Sequence, residues 1–215
     1  MRILAISSSY GGARAAVLDG DAIIAEGVIA EEMGLAAALP VMVDLLLDRV
    51  GRGLGLVAVV VGPGSFTGLR AGIALAAGIA LGLSVPLVAV GTGEALAAGL
   101  PALPGRVLWT AIHARTGRIF LDRGDGFAGV ALSEIPAARE AVAVCGNAAA
   151  VVAASLAARG GDVMLTDSRS ADPQQVASVA LRRWEGKLAA LDALPLYVDA
   201  AEAKLPRDGL RPAPV

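Results

Sequence analysis

VGPGSFTGLR, residues 61–70, is the stretch on which the reading of this 215-residue chain depends. Residues 56–61 before it are wholly apolar and rich in valine, the composition of a strand buried on both faces of a sheet. Residues 62–67 read as a turn, and residues 68–83 as a helix launched from it. Gly62 and Gly64 allow positive φ and close approach of backbone to backbone. Ser65 or Thr67 can cap the helix, and its exposed N–H groups could hold an anion or a polar partner group. Arg70, one turn in, could reach a carboxylate or a phosphate. Nucleotide fingerprints do not fit. A P-loop needs Gly-Lys-Ser/Thr where no lysine stands, and the dinucleotide pattern needs a third glycine where Thr67 is found. Spacing alone therefore leaves two readings open: a turn that touches a ligand or partner, and a turn that only lets strand and helix pack tightly.

The helix that follows carries small residues at Gly68, Gly72, Ala76 and Ala80, each four apart, with Gly78 and Gly82 nearby. Small residues at this spacing let another helix approach closely, or serve packing within the core. Each helical glycine costs about 1 kcal/mol relative to alanine, so several together imply that close approach is worth that cost. Residues 35–50 form a second candidate helix, with apolar residues at Leu39, Met42, Val43, Leu46 and Leu47.

Around these two helices the pattern is α/β. Residues 2–8, 13–19 and 22–30 read as three strands joined by Tyr10-Gly11-Gly12 and by Asp19-Gly20-Asp21, strong hairpin chemistry. Residues 87–90 give another strand, and Thr92 is a candidate N-cap for a helix to Ala98. Pro101 to Gly105, PALPG, interrupts the pattern and divides the chain into lobes of residues 1–102 and 103–215. The second lobe holds strands at 107–114, 118–122, 141–145 and 162–166, and a helix at about 148–158. Asp172 and Pro173 stand at the N-cap and first position of a helix expected to reach about Leu191. Residues 195–199 read as a last strand-like piece before a loose, Pro-rich end.

Composition narrows the function. With 18 basic and 20 acidic residues the chain has no global field for nucleic acid or an anionic membrane. One cysteine, Cys145, excludes an internal disulfide, and with a single histidine, His113, it excludes a Cys/His zinc cage. Cys145 reads as a small buried hydrophobe and His113 as a strand residue. Arg182, Arg183 and Lys187 form a basic helix face. It reads as solvated, with contact to nucleic-acid phosphates as the sharper alternative. The short apolar start lacks the length of a signal peptide and points to the cytoplasm. Residues 71–90 carry no charge over the length of a bilayer span, but they are Ala/Gly-rich, broken by Pro86 and unflanked by aromatics. They read as a buried helix and strand rather than a membrane segment.

Val61–Arg70 with Ala71-Gly72-Ile73-Ala74 closely resembles the signature of the bacterial TsaB (YeaZ) family. So do Ile3-Leu4-Ala5-Ile6 with Ser9, Leu39-Pro40, Ala114-Arg115 with Gly117, Pro195-Leu196-Tyr197-Val198, and Ala203-Lys204-Leu205-Pro206. The resemblance covers most of the chain and is weakest over residues 130–191. It implies the actin/Hsp70/sugar-kinase (ASKHA, ribonuclease H-like) fold: two related lobes of mixed sheets flanked by helices. It implies a catalytically inactive subunit without a cofactor or bound metal. Such a subunit supports a larger TsaD-like paralogue that makes N6-threonylcarbamoyladenosine at position 37 of tRNA. A TsaE-like ATPase joins the pair, tRNA is reached only indirectly, and the subunit forms a homodimer when alone. Docking through the two first-lobe helices maps onto Leu39, Met42, Val43, Leu46, Gly72, Ile73, Ala76 and Ala80, beside the signature turn Gly62, Pro63, Gly64, Ser65, Phe66, Thr67, Gly68 and Arg70.

The chain departs from the family pattern at Ser7, where Asp is usual, and at Gly34, where His is usual. His113 stands where Asp is usual, and Asp199 near a usual Arg. A kinase or hydrolase of the same fold needs a carboxylate near the first hairpin, where Ser7-Ser8-Ser9 stand. That enzyme and a degenerate self-associating protein remain as alternatives.

Overall fold

The computed structural model describes residues 1–10, 12–30, 34–114 and 117–199. Strands β1 (Arg2–Ser7), β2 (Ala13–Asp19) and β3 (Ala22–Ile29) form an antiparallel meander, with Gly20 at φ 60° in the tight β2–β3 turn. Helix α1 (Leu35–Val50) then leads to β4 (Leu56–Gly62), and helix α2 (Phe66–Leu83) leads to β5 (Leu87–Gly91). Both strands run parallel to β1, giving the sheet order β3-β2-β1-β4-β5. Every residue of β4 is buried, as its unbroken apolar run requires.

A short helix, α3 (Thr92–Ala98), leads out of the first sheet. The second is built from β6 (Val107–His113), β7 (Arg118–Asp122), β8 (Phe127–Ala131), β9 (Val142–Cys145) and β10 (Val163–Leu165). Its order is β10-β9-β6-β7-β8, with β6, β7 and β8 antiparallel and β9 and β10 parallel to β6. Counted from the first strand of each sheet, the two lobes have one and the same connectivity. Helix α4 (Ala149–Ala157) covers the second sheet. The last helix among the described residues, α5 (Pro173–Trp184), returns to the first lobe and buries Val176, Ala177, Val179 and Ala180 in its core. All strands of the first sheet precede residue 102 and all of the second follow it, yet the first core includes residues from beyond 170. Leu96, Ile112 and Cys145, with Tyr10, Phe120 and Phe127 against them, form a smaller apolar cluster that joins the lobes.

Several local expectations shift. Helix α2 begins at Phe66, two residues earlier than expected, because Ser65 is its cap. Gly91, not Thr92, is the N-cap of α3; Thr92 is its first residue and its hydroxyl donates to the Pro63 carbonyl at 2.8 Å. Asp172 is the N-cap of α5 by position, but its carboxylate receives Arg14 at 3.0 Å and Ser170 at 2.8 Å instead of capping. Helix α5 stops at Trp184 rather than near Leu191, since Gly186 takes φ 75°. Strand β8 was not expected, and residues 195–199 join no sheet. Residues 203–206, Gly11, Arg115 and the C-terminal end lie outside the described residues.

Candidate functional site

The signature turn is pressed against the end of β1. Gly62, at φ 123°, has a conformation open to glycine, and a Cβ there would stand 2.9 Å from the Leu196 carbonyl oxygen. A Cβ on Gly64 would collide with the Ser9 carbonyl, one on Gly68 with the Ser8 carbonyl, and one on Gly72 with the Ser8 hydroxyl. The Ser65 N–H donates to the Ser9 carbonyl, and Ser65 Oγ accepts from the Gly68 N–H at 3.3 Å. Thr67 is exposed and takes no part in the cap. Pro63 is buried, its carbonyl held by Thr92. The turn's polar groups are thus largely spent on the fold, and the small-residue row serves the approach of α2 to β1.

Among the described residues Arg70 meets aromatic rings rather than a carboxylate. Its guanidinium lies 3.7 Å from the centre of the Phe66 ring, and its Nε donates to the Tyr197 hydroxyl at 2.8 Å. Phe66 and Tyr197 stack at 5.7 Å, with about half of each side chain exposed. Phe66, Arg70 and the segment around Tyr197 each stood out in the sequence, but nothing in it showed that they meet.

The burial of the two helices corrects the expected interface residues. Leu39, Val43, Leu46, Gly72, Ile73, Ala76 and Ala80 all face inward and are buried in the first core. Met42 is half-buried, its side chain filling the space over Gly27 on β3. A helical stripe selects the inward face as readily as an outward one, and here the sheet claims it. The outward face of the same helices carries Val41 and Leu45, each 61% exposed, and Leu81, 82% exposed. Between α1 and α2 runs an open groove of about 370 Å³ lined by Pro40, Val41, Leu47, Leu75 and Ile79. At its rim Arg52 bridges Asp44 at 2.6 Å and Asp48 at 3.0 Å, and these carboxylates, Asp44 foremost, raise the Arg52 pKa above its ordinary value. These outward apolar residues are what the sequence reading missed; their signal is that they fall off the 3-and-4 stripe of helices that do not need them for the core.

Elsewhere the chemistry is sparse. Ser7, Ser8 and Ser9 are buried at the end of β1, and Ser8 donates to the Gly68 carbonyl at 2.8 Å. Cys145 is fully buried beside Thr110, and burial pushes its thiol pKa up. His113 is exposed at the end of β6, its backbone N–H bonded to Asn147. Among the described residues no three His, Cys, Asp or Glu side chains gather as a metal site. Helix α2 has the length and hydropathy of a membrane span, but one of its faces lies in the first core.

Comparison with known proteins gives the family. A family model described as "TsaD: tRNA N6-adenosine threonylcarbamoyltransferase" matches residues 33–172. The tRNA threonylcarbamoyladenosine biosynthesis protein TsaB of Escherichia coli (strain K12) is 35% identical over 125 residues, 56% of this chain and 53% of that protein. The protein of the same name from Bacillus subtilis (strain 168) is 38% identical over 101 residues, 46% of this chain and 44% of its own length. The chain spans about half the length of these curated relatives. The solved structure of YeaZ from Pseudomonas aeruginosa superposes with a TM-score of 0.69 over 91% of this chain and 99% of that one, at 22% identity. The likeness of fold is that of the actin/Hsp70/sugar-kinase, ribonuclease H-like class, with two mixed sheets flanked by helices.

Proposed function

This chain belongs to the family of the TsaD-type tRNA N6-adenosine threonylcarbamoyltransferase model, as a TsaB/YeaZ member, and from that premise we propose that it is a non-catalytic partner subunit in making threonylcarbamoyladenosine in tRNA. It docks a larger TsaD-like paralogue with the outward face of α1 and α2. The observation that carries this reading is the groove between those helices, lined by Pro40, Val41, Leu47, Leu75 and Ile79, with Val41 61% exposed on its α1 wall. Exposed apolar side chains clustered on one face mark interaction sites, and single scattered ones do not. Arg52 with Asp44 and Asp48 supplies the polar rim that such a patch commonly has. The same face serves a homodimer when the paralogue is absent, and a TsaE-like ATPase joins the heterodimer; contact with tRNA passes through the paralogue. The non-catalytic part of the reading rests on the three serines at the end of β1, where phosphoryl chemistry in this fold wants a carboxylate.

The test is co-purification of the chain with a TsaD-like paralogue of the same organism. Val41→Arg on α1 and Ile79→Arg on α2, both lining the groove, abolish capture while circular dichroism stays that of the wild type, and Leu132→Arg on the second lobe leaves capture intact. Capture unchanged by both helix variants would remove the docking face from α1 and α2. ATP turnover by the isolated chain would favour the enzyme alternative.

A further inference from the structure

Beyond the docking face, one segment bonds to both lobes. After α5 the chain runs back along the first core, where Leu188, Leu191 and Ala193 pack, before residues 195–199 pass the signature turn. The Leu196 N–H donates to the Val61 carbonyl at 2.8 Å, and the Leu196 carbonyl lies over Gly62. Tyr197 stacks on Phe66 and accepts from Arg70. Two residues on, Asp199 meets Arg118 of β7 at 3.5 Å, and the same guanidinium donates to the Gly129 carbonyl of β8 at 3.1 Å. A Cβ on Gly129 would lie 2.5 Å from the Asp199 carboxylate and 2.6 Å from Arg118. Each lobe therefore carries a glycine beneath this segment, at a place where any side chain would collide with it.

We propose that residues 195–199 are a strap fastening the second lobe to the signature turn of the first, with a firm anchor at Tyr197 and a releasable clasp at Asp199. The two ends differ in kind. The anchor combines a backbone hydrogen bond, a stacked aromatic pair and an arginine on a ring face. The clasp is one ion pair with both side chains nearly half exposed, a kind that is weak and screened by salt. The anchor grips Phe66 and Arg70 in the first turn of α2, so the strap links the second lobe mechanically to the start of that helix.

The test uses the full chain with nitroxide labels at Arg49→Cys on α1 and Ala150→Cys on α4, both exposed, while the buried Cys145 stays unlabelled. Wild type gives a narrow interlobe distance distribution. Asp199→Ala and Arg118→Ala broaden it, as does NaCl at about 0.5 M, and the charge swap Arg118→Asp with Asp199→Arg narrows it again. Amide exchange reads the other end: Tyr197→Ala speeds Leu196 exchange about tenfold or more, while Asp199→Ala changes it less than about twofold. An Asp199→Ala distribution that superposes on wild type would overturn the clasp. Leu196 protection unmoved by Tyr197→Ala would overturn the anchor.

Discussion

The Ser8 hydroxyl donates to the carbonyl oxygen of Gly68 across 2.8 Å, and it also occupies the space that a Cβ on Gly72 would need. One serine at the end of β1 thus sets how low α2 lies on the sheet. Gly72→Ala must lift the helix or displace the hydroxyl, and is expected to cost about 1–3 kcal/mol in urea unfolding. Ser8→Ala added to Gly72→Ala recovers part of that loss, a coupling that a double-mutant cycle reads directly. Gly78 and Gly82 lie on the same helix with open space where a Cβ would go. Gly78→Ala and Gly82→Ala each raise stability by roughly 0.5–1 kcal/mol.

Neighbouring alanines on α2 separate the core from the surface. Ala76 is fully buried and Ala77 is exposed. Ala76→Arg forces an unpaired charge into the first core and abolishes cooperative unfolding at 25 °C. Ala77→Arg leaves the urea midpoint close to wild type. Equal midpoints for the two would contradict the orientation of the helix.

Glu94 ties three elements together. It accepts from the Gly91 N–H at 2.7 Å at the start of α3 and pairs with Arg183 of α5 at 2.5 Å. The Arg183 side chain is only 9% exposed and also donates to the Ala89 and Ala189 carbonyls. Glu94→Ala leaves that guanidinium without its counter-charge, and is expected to cost roughly 2 kcal/mol, a value reduced from the fully buried case because Glu94 is partly exposed. Glu94→Gln, which keeps a hydrogen-bonding group, loses less in the same urea titration.

Two acids at the junction of the lobes govern the alkaline limit. Burial raises the Tyr10 phenol above its ordinary 10.0 and the Cys145 thiol above its ordinary 9.0. In both cases the unfolded chain ionises first, so above these ordinary values it binds fewer protons than the folded chain. Stability is therefore full below about pH 9 and falls as pH rises toward the raised values. Urea midpoints at about pH 8 and about pH 10.5 measure the decline, and Tyr10→Phe with Cys145→Ala flattens it. Tyr10 Oη has no hydrogen-bond partner among the described residues. Tyr10→Phe alone therefore leaves stability at neutral pH equal to wild type or slightly higher.

The sequence made most of the first lobe legible because its signals are local. The Gly20-Asp21 turn, the unbroken run of β4 and the ends of α1 are each written within a few residues. Strand β8 escaped because Gly124, Gly126 and Gly129 dilute its pattern, and Gly129 is there for the segment that crosses it. Residues 195–199 looked like a strand because Leu196, Tyr197 and Val198 are a short apolar and aromatic run, but a single backbone bond to Val61 makes no ladder. What could not be read was which face of α1 and α2 meets water. Val41 and Leu45 outside are as apolar as Leu39, Val43 and Leu46 inside. Only the position of the sheet breaks that tie.

The return of α5 to the first core has a consequence for how the chain emerges from the ribosome. Val176, Ala177, Val179 and Ala180 cover strands made far earlier, so the first sheet is left with one bare apolar face until residues 173–184 leave the exit tunnel. The nascent first half cannot complete its core while the second half is being made, although domains commonly finish in order of synthesis. A stop codon after residue 102 would therefore yield not a free-standing lobe but a sticky half-sheet, suited to chaperone capture.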